Sequence, residues 1–410
     1  MLKKIVLFFI ENEAKLVLRR FKPKIVSVTG SVGKTSTKEA IWTLLKEHFD
    51  VAKSPKSYNS DIGVPLAILG LENAWDSPAG WLINIFRGFW RVLSRAPYPE
   101  ILVLEMGVDR PGDFDHVLKY VHPHTAVVTA IGRMPVHVEF FEGPEGVAEE
   151  KSKLVRILDE KDTAIFNLDD ELASKMRDVT KAKVITYGFS ESADVSAAAY
   201  KMSSHGLTFK IKYEGKTMPI KIDGVLGKQI VWTMLAAAAV GISEGLNLIE
   251  ISESLPLIKP MPGRSRPIDG IRGSLIFDDT YNSSPLAVEA ALEVLGEMKA
   301  KRKIAVLGDM LELGKFSADE HRRIGEKARS AADILFTVGI RARAMESATK
   351  SFSNSEEAAE HLHGFIETGD TILVKGSQSV RMEKIVEKIM LKPEEAKDLL
   401  VRQEPFWKNR

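Results

Sequence analysis

At 410 residues, with 44% hydrophobic and 28% charged, the chain exceeds the length at which one core keeps growing, so two or three ordinary globular domains are expected. Lysine and arginine number 57 against 56 aspartates and glutamates, which leaves no global field for nucleic acid or acidic lipid; attraction for phosphate must be local. The absence of cysteine excludes disulfides, thiolate metal sites and cysteine nucleophiles, and fits a cytoplasmic protein in a reducing compartment.

The start, Met1-Leu2-Lys3-Lys4 and then the apolar residues 5–10, imitates a secretory signal. That apolar run is short, Glu11 follows it, and no small-residue cleavage site comes next, so a first amphipathic helix within residues 1–24 is expected. The β-branched run 25–29 then leads through Gly30-Ser31-Val32-Gly33-Lys34-Thr35 into a helix-like segment. A strand that turns on glycines into a helix offers backbone N–H groups and a positive helix end to a phosphate, with Lys34 as a point charge and the Thr35 hydroxyl available to Mg²⁺. The spacing is G-x-x-G-K-T, shorter than the general phosphate loop, and the same glycines could serve only a tight turn, leaving Lys34 solvated.

Residues 75–99 hold Trp75, Trp81, Phe86, Phe89 and Trp90 interleaved with Arg87, Arg91 and Arg95. Such a helix either makes a peripheral membrane contact or packs on its own domain. Apolar runs at 100–106, 125–131, 163–168 and 184–188 alternate with helical stretches and predict βαβ units in a largely parallel sheet. Glu105 closes the first of these runs, where a doubly wound sheet has its ligand crevice, and an acid there requires a partner or a metal. His137 follows the run ending at Gly132, and Lys151 sits in Glu149-Glu150-Lys151; by pattern alone a loop histidine and a solvated helix face remain open for these two.

Between residues 194 and 222 the period changes to two, with His205-Gly206 and Glu214-Gly215 as turns, which predicts a small antiparallel portion. Residues 226–248 read as a buried alanine-rich helix ending near Gly245. Lys259-Pro260-Met261-Pro262-Gly263 is the linker candidate. It places a boundary at 262, with a P-loop-type, mostly parallel nucleotide-binding domain over 1–262 and a Rossmann-like doubly wound domain over 263–410. A second series of strands is expected at 275–277, 304–307, 334–338 and 371–374. Asp278-Asp279-Thr280-Tyr281-Asn282-Ser283-Ser284-Pro285 closes the first of these and suits either turn and cap duty or a ribose- or metal-binding edge. Lys375-Gly376-Ser377 is a turn or a cationic site for a carboxylate.

Taken in order, residues 29–38, 58–65, Glu105-Met106-Gly107, Pro111-Gly112, 137–151, Gly263-Arg264, 278–285, 306–314 and 375–377 resemble the Mur ligases, the ATP-dependent amide-forming enzymes of peptidoglycan precursor synthesis. Residues 308–314 favour the branch that adds D-alanyl-D-alanine and set the chain apart from folylpolyglutamate-type ligases. The resemblance implies an acyl phosphate formed from ATP and a peptide carboxylate of a UDP-linked muropeptide, then attack by a dipeptide amine. It implies that Gly30, Ser31, Val32, Gly33 and Ser36 surround the phosphates, that Lys34 binds the β- and γ-phosphates, and that Thr35 and Glu105 share one Mg²⁺. His137 would hold a second Mg²⁺, and Lys151 would be carbamylated to supply oxygens to a cation. Arg264, Asp279 and Asn282 would reach the nucleotide from the second domain, and Asn59 and Lys375 would meet substrate, so the site would assemble by domain closure. A monomer without nucleic-acid partners is expected.

Three departures qualify the resemblance. Only some 24 residues precede the first strand, where the family carries a UDP-sugar-binding domain, so a lipid-linked or otherwise altered acceptor is a competing expectation. The family's histidine and asparagines at the alanine-rich helix are replaced by Lys228-Gln229 and Trp232, which shifts the adenine contacts onto Gln229 or Trp232. Its paired asparagines are Asn59-Ser60 here. From another class, a non-catalytic ATP-binding scaffold remains an alternative.

Overall fold

The computed structural model describes residues 2–55, 58–75 and 77–408; Met1 of the expected first helix and Asp76 of the aromatic segment lie outside the described residues. Helix α1 (Leu2–Phe21) leads to β1 (Lys24–Thr29), α2 (Lys34–Leu45), β2 (Val51–Lys53), α3 (Gly63–Leu69), α4 (Pro78–Leu93) and β3 (Ile101–Glu105). The chain continues through α5 (Asp113–Val117), β4 (Thr125–Val128), α6 (Pro144–Arg156), β5 (Thr163–Asn167), α7 (Glu171–Lys175) and β6 (Lys183–Gly188). Strands β7 (Val195–Ser203), β8 (Gly206–Tyr213) and β9 (Lys216–Asp223) come next, followed by α8 (Lys228–Ser243) and α9 (Leu248–Ser254).

Among the described residues these strands form a single nine-stranded sheet in the order β2-β3-β1-β4-β5-β6-β7-β8-β9, parallel as far as β7 and antiparallel beyond it. The period-two segment therefore extends the parallel sheet. Its junction is thin: Tyr187 pairs with Val195 and Gly188 with Ser196. Alternation within the central strands splits the core, because successive side chains leave opposite faces. Leu102 and Leu104 pack with α1 and α3, whereas Ile101 and Val103 pack with α2 and α8.

The second sheet comprises β10 (Arg266–Asp269), β11 (Leu275–Asp278), β12 (Arg302–Gly308), β13 (Ile334–Val338), β14 (Lys350–Phe352) and β15 (Asp370–Lys375), ordered β10-β11-β15-β12-β13-β14. Only β10 is antiparallel, and its Pro267 sits on an edge strand, where a missing N–H is tolerated. Helices α10 (Pro285–Glu297) and α11 (Ser317–Ala331) cover one face with Ala305 and Leu307, and α12 (Ser355–Phe365) and α13 (Glu383–Ile389) the other with Ile304 and Val306. The two sheets meet with the C-terminal ends of β1, β3 and β11 around one cleft, lined by Thr35 and Glu105 from the first and by Tyr281 and Asn282 from the second.

Candidate active site

The turn from β1 into α2 is shaped by its glycines. Gly30 has φ of 134°, and a Cβ there would lie 2.0 Å from Thr129 Oγ1, so no side chain fits. Gly33 caps α2 at φ 92° without any side-chain cap, which leaves the first amides of a twelve-residue helix facing the cleft. The amides of Ser31 and Val32 both donate to the Ala130 carbonyl, at 2.8 and 2.9 Å, so what Ser31 offers a ligand is its hydroxyl. Lys34 folds back over the loop, donating to the Gly30 carbonyl at 2.9 Å. Burial pushes its ammonium below the ordinary lysine range, and the Glu105 carboxylate opposes that.

Glu105 ends β3 at 1% exposure. Its Oε1 accepts from Asn59 Nδ2 at 3.0 Å, and its backbone N–H donates to Ser54 Oγ at 3.1 Å. Oε2 has no hydrogen-bond donor and lies 3.7 Å from Lys38 Nζ, which itself donates to the Ser54 carbonyl at 2.9 Å. Lys38 is fully buried and escaped the sequence reading as a site residue. The i, i+4 spacing from Lys34, which puts both ammonium groups on one face of α2, is the signal that would have found it.

His137 stands at φ 66° at the mouth, with Nδ1 3.2 Å from Glu312 Oε2 and Nε2 3.4 Å from Asp109 Oδ1. Burial pushes its pKa down to about 4; Asp109 opposes this, while Lys34 and Lys151 reinforce it, so the imidazole is neutral at pH 7. Glu312 arrives on the segment after β12, which is pinned by Met310 N–H to His321 Nε2 at 2.9 Å and by Leu311 N–H to Ser377 Oγ at 3.0 Å. Neither Asp109 nor Glu312 was singled out from sequence, because only tertiary packing brings them to His137. Lys151 is buried on α6 behind this group. Desolvation, and then the charge of Lys34, drive its ammonium well below the ordinary range.

The cleft, of about 230 Å³, is lined by Ser31, Val32, Gly33, Lys34, Thr35, Asn59, Glu105 and His137 from the first sheet and by Arg264, Tyr281, Asn282 and Ser283 from the second. Lys151, Asp279 and Lys375 do not line it. Lys375 is buried in an ion pair with Asp279 at 2.6 Å and donates to the Asn282 carbonyl at 2.8 Å, so both residues brace the loop that carries Asn282. Arg264 lies 4.0 Å above the Tyr281 ring. Ten buried side-chain polar atoms lack a hydrogen-bond partner among the described residues, and four of them, on Ser31, Glu105, Arg264 and Ser283, belong to residues lining this cleft. Buried polar atoms are nearly always paired, so such a concentration marks a place prepared for a polar ligand. Hard divalent cations suit the donors here, a carboxylate oxygen without a donor, a threonine hydroxyl and a neutral imidazole. Among the described residues no group of three acidic or histidine side chains is arranged to hold a metal ion, so a cation would need further oxygens from a phosphate.

Two cavities adjoin. One of about 530 Å³ shares Asn59 and Asp109 and extends past Asp61, Arg110 and Phe114 to Leu7 of α1. The other, a slot of about 30 Å³ beside Gly33, is lined by Gln229, Trp232, Tyr187 and Leu286. Gln229 Nε2 donates to Ser265 Oγ at 2.7 Å and Trp232 Nε1 to Asp169 Oδ2 at 2.7 Å, so a planar base entering here would have to widen the slot.

Comparison with known proteins gives this geometry a family. The Mur ligase middle domain matches residues 28–78 and 88–241, and the Mur ligase glutamate ligase domain matches 263–378. The UDP-N-acetylmuramoyl-tripeptide--D-alanyl-D-alanine ligase of Escherichia coli K12 is 30% identical over 382 residues, 91% of this chain and 78% of that protein. The Bacillus subtilis 168 ligase of the same name is 30% identical over 396 residues, 94% and 79% respectively. The crystal structure of the Thermotoga maritima MurF ligase in complex with ADP superposes with a TM-score of 0.78 at 27% identity, covering 93% of this chain and 83% of that one. The chain therefore belongs to the Mur ligase family, with an α/β architecture of the MurF kind.

Proposed function

We propose that this protein is an ATP-dependent ligase that joins D-alanyl-D-alanine to the carboxylate of a UDP-N-acetylmuramoyl-tripeptide. The observation that carries the reading is the cluster of unpartnered polar atoms on Ser31, Glu105, Arg264 and Ser283 around the uncapped start of α2. The named activity of the relatives, and the ADP in the Thermotoga maritima complex, support it. We place the domain boundary at residue 262, within the linker of two prolines and a glycine.

ATP enters as substrate, with its phosphates against the helix start and Lys34 released from the Gly30 carbonyl to meet them. Arg264 reaches across from the second sheet. Thr35, Glu105, His137 and the carbamate form of Lys151 would hold Mg²⁺, which supplies neutralisation of the phosphate charge. A buried, neutral Lys151 amine is the form that captures CO₂, and Lys34 helps keep it neutral. The acceptor lies in the adjoining cleft, near Asn59. Its carboxylate oxygen attacks the γ-phosphorus as the bond to ADP breaks; the dipeptide amine then attacks the acyl carbon, phosphate leaves, and the amine gives up a proton. Lys38 holds Glu105 in place, and Glu312 and Asp109 orient His137.

The test is incubation of the purified chain with ATP, Mg²⁺, bicarbonate, UDP-N-acetylmuramoyl-tripeptide and D-alanyl-D-alanine. The reading expects a pentapeptide product by mass, with ADP release dependent on both organic substrates. ADP release indifferent to the acceptor and the dipeptide would overturn it.

A further inference from the structure

Helix α4 is built inside out. Toward the protein it presents buried Asn84 and Gly88, with Trp81, Ile85 and Val92 half-buried. Outward it presents Leu82, Ile83, Phe86, Phe89, Trp90 and Leu93, with Phe86 68% and Trp90 64% exposed. An ordinary surface helix does the reverse. Close packing explains the inner face: a Cβ at Gly88 would lie 2.0 Å from Glu13 Oε2 of α1, so the two helices touch where the residue is smallest. Helix α1 continues the apolar surface with exposed Ile5, Phe8 and Phe9. The two helices pack on each other, and together they expose these nine large apolar side chains, a concentration of the kind that marks an interaction site.

Charge narrows the partner. Helix α4 has no acidic residue, and its charges are Arg87 and Arg91. The acids of α1, Glu11 and Glu13, are buried, Glu11 against Lys15 and His116, whereas Arg19 and Arg20 in its last turn are exposed. The exposed charges of the pair are thus positive, Arg19, Arg20 and Arg87, while Arg91 is half-buried at the flank, donating to the Pro97 carbonyl at 3.0 Å. A second copy of the chain would set arginine against arginine across such a face, whereas an anionic lipid surface complements it. Residues 79–87, and all of α1, also lie outside the stretches shared with the family domains.

We propose that α1 and α4 dock the protein on an anionic lipid bilayer, lying in the interface with their aromatic side chains among the acyl chains and their arginines at headgroup level. Leu7 lines the 530 Å³ cleft while Phe8 and Phe9 are exposed, so α1 is the wall between that cleft and the membrane face. Docking thus sets the cleft that receives the acceptor beside the bilayer. This consequence rests on the ligase reading; the docking does not.

The test is co-sedimentation of the full chain, without nucleotide, with vesicles of phosphatidylcholine alone or with about one-third phosphatidylglycerol. Binding to the anionic vesicles is expected to be roughly tenfold or more tighter, to weaken with salt, and to shift the tryptophan emission to the blue. Phe86→Glu with Trp90→Glu is expected to lower binding by roughly tenfold or more, and Arg87→Glu with Arg91→Glu to abolish the lipid preference, while thermal melting confirms that both variants fold. Absence of binding to either vesicle, or binding unchanged in the variants, would overturn the proposal. So would a concentration-dependent dimer in sedimentation velocity that Phe86→Glu with Trp90→Glu dissolves.

Discussion

The cleft and the α1–α4 face depart in opposite directions from the usual partition of residues. In and behind the cleft wall, Lys34, Lys38, Glu105 and Lys151 carry charge or its potential into the interior, where desolvation is costly. On the helical face, phenylalanine and tryptophan stand in water while an asparagine and a glycine are packed inside. Neither arrangement is what packing alone would select, and both lie where a polar or apolar partner would relieve the cost. Buried charge with orphaned oxygens calls for a phosphate and a cation; exposed aromatics flanked by arginine call for a lipid surface.

The largest expected effect breaks the cleft side of this contrast. Glu105→Gln should lower turnover by roughly 10³-fold, read as steady-state ADP release, while the melting temperature stays within a few degrees. Lys38→Met sharpens the reason: it leaves the Glu105 carboxylate buried without its ammonium, which should cost about 3 kcal/mol of stability in urea denaturation as well as activity. If both variants keep full turnover, the buried charges are structural ornaments of α2 and β3.

On the other side, Glu13 is a carboxyl buried where α1 meets α4. Burial against α4 raises its pKa to about 7 from 4.5, and its Oε2 has no partner. A raised carboxyl pKa favours the protonated folded form, so this group's contribution is fully present below about pH 4.5 and is lost as pH rises through 7. Glu13→Gln should therefore stabilise the protein at pH 8 by roughly 1–2 kcal/mol, allowing for partial solvation, and change little at pH 4.5, as measured by denaturation at the two values. The smallest effect belongs to the outward side chains themselves. Leu82→Ser should alter stability by about 0.5 kcal/mol or less, and leave turnover on soluble substrates unchanged, because nothing in the fold leans on it.

How much of this could be read from sequence follows from range. Central parallel strands are buried on both faces, so β3 and β12 announce themselves as apolar runs. Edge strands β2 and β14 are three residues long, and β10 contains a proline, so none carries a signal above its loop. Residues 30–35 were legible because strand, glycine turn and helix are contiguous, and Glu105 because an acid closing a buried strand is anomalous locally. Asp109, Glu312 and the brace formed by Lys375 and Asp279 were not, since they depend on contacts between distant segments. Of the two readings of the aromatic segment, packing on the domain holds for Trp81, Ile85 and Val92, while Phe86, Phe89 and Trp90 stand exposed.

The central claim is that a substrate carboxylate takes the terminal phosphoryl group of ATP in the cleft between Lys34 and Arg264. Supplying the acceptor with ¹⁸O in its reacting carboxylate, and analysing the released phosphate by mass, tests it most directly. The account predicts that one labelled oxygen leaves with inorganic phosphate in each turnover. Label found in AMP, or retained entirely in the peptide product and water, would contradict it.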